Sequence, residues 1–71
     1  MKRRDLVRKI SQEAKRQEVP WKIDHEGARH SVYRLGTRLI PVPRHNELGE
    51  GLVRTIFIEC EGELGKGWWR L

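Results

Sequence analysis

The sequence predicts a two-layer α+β domain in which a three-stranded antiparallel sheet carries two helices on one face, in the order α-β-β-β-α. Three observations carry this expectation. An apolar stripe at helical spacing lies near each end of the chain, a central stretch alternates like strands between glycine and proline, and 71 residues leave room for a single core. A domain of that size buries about 60% of the surface its unfolded chain exposes, so its core is thin and any chemistry sits near the surface.

From Arg4 to Gln17 the apolar positions Leu6, Val7, Ile10 and Ala14 form one narrow helical stripe among Lys, Arg, Gln and Glu. Pro20 stops this helix and drives the residue before it toward extended geometry. Trp21, Ile23 and His25 then alternate with Lys22, Asp24 and Glu26, which reads as a half-buried strand with Trp21 in the core and His25 partly buried. Gly27-Ala28 is a tight turn, His30 to Leu35 a second strand, and Gly36 turns the chain into a third strand, Arg38 to Val42, with Ile40 and Val42 on one face. Pro41 and Pro43 lack backbone donors, so that strand belongs at an edge or ends early. Leu52, Val53, Ile56, Phe57 and Cys60 give the second helix a wider apolar stripe, its start blurred by Gly49 and Gly51. Residues 61–71 read as a glycine-punctuated tail ending Trp68-Trp69-Arg70-Leu71, whose tryptophans either fold back onto the sheet or dock on another protein. This helix and strand order, with the second sheet face open, is that of double-stranded-RNA-binding domains.

The charge is uneven. Residues 1–45 carry 12 Lys and Arg against 5 Asp and Glu, whereas residues 46–71 carry 3 against 5. A basic first half fits a polyanion, most simply nucleic acid, and the acidic second half suits a protein partner. No run reaches the roughly 18 apolar residues of a membrane span. Met1-Lys2-Arg3-Arg4-Asp5 is not followed by the apolar segment of a secretory leader, and the single Cys60 forms no disulfide within the chain. These features point to the cytoplasm.

Few residues are able to carry chemistry. Cysteine pairs, metal-ligand spacings, phosphate loops and dinucleotide glycine patterns are absent, so no metal and no small-molecule cofactor is expected. RNA cleavage asks for less, because the ribose 2′-hydroxyl attacks the adjacent phosphate once a base takes its proton. A histidine suits that transfer near neutral pH, and cations stabilise the charge that develops. Arg29-His30-Ser31-Val32-Tyr33-Arg34 holds these ingredients in one stretch. Lys2, Arg3, Arg4, Arg29, Arg34, Arg38 and Arg44 are candidate phosphate contacts, with Arg29 and Arg44 foremost because each adjoins a histidine. His45 is a candidate for ordering the turn or positioning RNA, and Tyr33 for packing or for stacking on a base.

The segment Gly27-Ala28-Arg29-His30-Ser31-Val32-Tyr33-Arg34, followed by Ile40-Pro41-Val42-Pro43-Arg44-His45, resembles the HicA toxin family. So do the opening Met1-Lys2-Arg3-Arg4-Asp5-Leu6 and Gly51-Leu52-Val53-Arg54-Thr55-Ile56, and the likeness covers roughly residues 1–60. It implies a double-stranded-RNA-binding-domain-like fold and an mRNA-cleaving toxin of a type II toxin–antitoxin system, with His30 as the catalytic histidine. It also implies a HicB-type antitoxin partner, through which any DNA contact would be indirect. Where many members read Gly-Ser-His-His this chain reads Ala28-Arg29-His30-Ser31, and its Gln17-Glu18-Val19-Pro20 connection lacks the glycine often found there. Two other readings remain open on the residues alone: a non-catalytic double-stranded-RNA-binding module, and a small interaction protein whose basic face meets an acidic partner.

Overall fold

The stripe of Leu6, Ile10 and Ala14 becomes the buried side of helix α1, Arg3–Arg16, in a computed structural model that describes residues 1–70. The helix ends on two reverse bonds, Glu18 N–H to the Lys15 carbonyl and Val19 N–H to the Ala14 carbonyl, at 3.1 and 2.8 Å. That ending requires one left-handed residue, the place where glycine is favoured. Here Glu18 takes it, at φ 59°. A residue with a Cβ is strained in this region, so Glu18→Gly is expected to raise stability by about 0.5–1 kcal/mol, read as a higher denaturation midpoint.

Strands β1 (Trp21–Glu26), β2 (His30–Leu35) and β3 (Arg38–Pro43) form one antiparallel sheet in the order β1-β2-β3. Tyr33, Leu35, Ile40 and Val42 point to the side covered by α1 and by helix α2, Glu50–Glu59, and share one core with Val53, Ile56, Phe57 and Cys60. The fold is therefore α+β, with the helices on one side of the sheet. Of the apolar stripe expected in the second helix, Val53, Ile56, Phe57 and Cys60 are buried and Leu52 alone is exposed.

The β2–β3 turn depends on Gly36, at φ 60°. A Cβ there would run into the Glu63 carboxylate, which is itself held by the Thr37 N–H at 2.7 Å. Strand β3 is an edge, as its prolines predict. Arg44 N–H bonds back toward β2 at the Arg29 carbonyl, so the intervening parity puts Pro41 and Pro43 nitrogens on the solvent side.

Strand β1 departs from the expected alternation. Trp21 pairs with Leu35 and Ile23 with Tyr33, but the register slips at Asp24 and His25 pairs with Val32. One extra residue reverses the parity of all that follow. His25 therefore lies on the open face rather than with Trp21 and Ile23, and its side chain is exposed, not partly buried. Trp21 stacks flat on Tyr33 with ring centres 4.3 Å apart, at the margin of the core.

The tail is not an appendage. Residues 61–70 form a short helix α3, Glu61–Leu64, and a 3₁₀ turn, Trp68–Arg70, while Leu71 lies outside the described residues. Trp68 is 5% exposed and donates its indole N–H to the Phe57 carbonyl at 2.9 Å, so the chain folds back onto α2. Among the described residues, no helix is long and apolar enough to cross a membrane.

Candidate functional site

His30 is the first residue of β2, paired with Pro43, and its side chain stands exposed on the open face of the sheet. Its backbone is fixed tightly. The His30 carbonyl accepts the Gly27 N–H at 2.8 Å, closing the β1–β2 turn. Arg44 reaches across from the end of β3 and forks over the same turn. Its Nη1 donates to Glu26 Oε1 at 2.7 Å and to the His30 carbonyl at 3.2 Å, and its Nη2 donates to the Ala28 carbonyl at 2.7 Å and to the Gly27 carbonyl. Glu26 also accepts the hydroxyl of buried Ser31 at 2.8 Å. That hydrogen bond, and then the one from Arg44, hold the Glu26 carboxyl below its usual range. The Arg44 donors are thus committed to the turn that presents Arg29 and His30.

A planar fork is needed to join four acceptors, and an ammonium group does not reproduce it. Arg44→Lys is accordingly expected to cost about 1–2 kcal/mol in urea denaturation despite its retained charge. A loss within about 0.5 kcal/mol would mean that Arg44 is a surface cation only.

The N-terminal cations arrive at the same end of the domain. Arg3 donates Nε to the Pro43 carbonyl and its backbone N–H to the Asn46 carbonyl, both at 2.9 Å, and the Lys2 backbone pairs with that of Glu47 in an isolated antiparallel bridge. Two recesses flank the Pro43–Asn46 segment. One, of about 430 Å³, is lined by Ala28, Arg29, Arg44 and His45; the other, of about 350 Å³, is lined by Lys2, Arg3, Arg4 and Asn46. Lys2, Arg3, Arg4, Arg29, His30, Arg44 and His45 therefore share one end, although they span more than half the sequence.

Two expected phosphate contacts lie elsewhere. Arg34 shares the open face with His30 but stands four residues along β2, about 13 Å away, and is paired with Asp24 at 2.9 Å. Arg38 sits at the far end of the β2–β3 hairpin, opposite Leu35, with its guanidinium against Gly62 on the helical side.

The register slip in β1 creates a cluster that sequence reasoning missed. Asp24 accepts from Arg34 Nε through Oδ1 at 2.9 Å and contacts His25 Nδ1 through Oδ2 at 2.7 Å. The hydrogen bond to His25, followed by that to Arg34, lowers the Asp24 pKa. An ionised carboxylate only accepts, so Nδ1 of His25 carries the proton, on a side chain that is exposed. The neighbouring letters Asp24-His25 were the only sequence signal, because a bulge leaves no composition mark.

Burial pushes the Cys60 thiol up to about 12, so it is not a nucleophile. Among the described residues, no group of three or more His, Cys, Asp or Glu side chains converges to hold a metal ion. Comparisons with protein-family models, with curated proteins and with solved structures find no match to this chain.

Proposed function

We propose that this chain is a metal-independent endoribonuclease of the HicA type, a toxin that cleaves mRNA in the cytoplasm and is restrained by a HicB-type antitoxin. One observation carries the reading: an exposed imidazole, His30, stands on a rigidly clamped turn at the end of the domain where Lys2, Arg3, Arg4, Arg29 and His45 gather. The charges of Lys2, Arg3, Arg4 and Arg29 attract the RNA backbone and hold a phosphate against the turn. His30 exchanges a proton with the reacting ribose or the leaving group, and the cations stabilise the charge that forms on the phosphate oxygens. The α-β-β-β sheet with helices on one face supports a double-stranded-RNA-binding-domain-like reading of the fold, with the chemistry added at one end. Any contact with DNA belongs to the antitoxin.

The test uses purified chain and RNA in EDTA. Cleavage giving 2′,3′-cyclic phosphate and 5′-hydroxyl ends, lost in His30→Ala, is the expected result. Cleavage that survives in His30→Ala would sink the assignment of His30. Tight binding of duplex RNA with no cleavage by folded wild-type protein would make this a binding module instead.

A further inference from the structure

The geometry points to His25 as a second catalytic histidine, acting opposite His30 as the group that protonates the leaving oxygen, with Asp24 and Arg34 as its positioning residues. This rests on the ribonuclease reading above and extends it.

The register slip places His25 across from Val32 on the open face, and His30 lies two residues before Val32 on β2. The two histidines are thus diagonal neighbours on adjacent strands, at a spacing of about 7 Å between their Cβ atoms, which a phosphodiester bridges. Their surroundings differ. His25 has a carboxylate at its back, 2.7 Å from Nδ1, and that carboxylate is fixed by the Arg34 guanidinium at 2.9 Å. A carboxylate behind an imidazole sets its tautomer and balances the charge of the protonated ring. Among the described residues His30 has no such partner, and it lies beside Arg29 and the Arg44 fork. Among the described residues, the charged and titratable groups sharing the open face with His25 are Lys22 and Asp24 on its own strand and His30 and Arg34 on β2, and no helix covers it.

The division of labour follows. His30 takes the proton of the ribose 2′-hydroxyl as its oxygen bonds to phosphorus. The bond from phosphorus to the 5′-oxygen breaks, and protonated His25 delivers its Nε2 proton to that oxygen. The products are a 2′,3′-cyclic phosphate and a 5′-hydroxyl, and solvent resets the two rings.

The test compares wild type, His25→Ala, Asp24→Asn and His30→Ala on an RNA oligonucleotide and on the same oligonucleotide with sulfur in place of the scissile 5′-oxygen. A departing thiolate needs no proton. His25→Ala is expected to lower kcat on ordinary RNA by about 10²-fold, with KM little changed, and to approach wild type on the sulfur substrate. Asp24→Asn shows a smaller loss with the same sulfur rescue, which a purely structural role would not produce. His30→Ala is poor on both substrates. Wild-type kcat in His25→Ala, or an equal loss on both substrates, would overturn the assignment while leaving His30 in place. Absence of cleavage by wild type would overturn both readings.

Discussion

Replacing His30 by alanine is expected to reduce RNA cleavage by about 10²–10⁴-fold while moving the thermal midpoint by no more than about 3 °C. The separation of the two effects is the informative part. The imidazole is exposed and, among the described residues, no side chain hydrogen-bonds it, so its removal leaves no buried group unpaired. The contacts that shape the turn use the His30 carbonyl, which alanine keeps. Circular dichroism and cleavage rates on the same preparations check this. A variant that lost activity together with its fold would instead implicate the turn.

The largest effect on stability is expected far from that end. Trp68→Ala should cost about 3–5 kcal/mol, against a total stability of about 4–11 kcal/mol for a chain of this length. Trp68 packs edge-on against Phe57 with ring centres 5.0 Å apart, in a core that has few large side chains. Its indole N–H also satisfies the Phe57 carbonyl, one of the last carbonyls of α2, which the helix itself leaves free. Trp68→Phe keeps much of the packing and loses the bond, so it should fall between the two, near 1–3 kcal/mol. Urea midpoints measure the series. A loss under about 1 kcal/mol for Trp68→Ala would show that residues 61–70 are dispensable to the core.

The elements whose signal is local were legible in the sequence. Leu6, Ile10 and Ala14 announced α1 through their spacing, and Ile40 and Val42 announced the inner side of β3, because periodicity reports which side of a helix or strand is buried. His25 was misplaced because alternation assumes an unbroken pleat, and the single slip at Asp24 moved it to the other face. Arg34 and Arg38 looked close to His30 because they are near in sequence, yet a strand carries each successive residue about 3.3 Å further away. Arg3 and Lys2 reach the His30 end only through the Pro43–Glu47 segment, a long-range closure that no local pattern encodes. The two tail tryptophans carried the right residue type for a core, but Gly62, Gly65 and Gly67 hid the helical turn and the 3₁₀ turn that bring them there.

The prolines of β3 have a consequence for assembly. A sheet rim normally offers alternating donors and acceptors, a template on which another chain lays a strand. At Pro41 and Pro43 the outward donors are missing, and the outward carbonyl of Pro43 is already taken by Arg3. The opposite rim, β1, is kinked by its bulge and studded with Lys22, Asp24 and Glu26. Neither border is therefore a template on which a second copy lays a strand, although one sheet surface is naked.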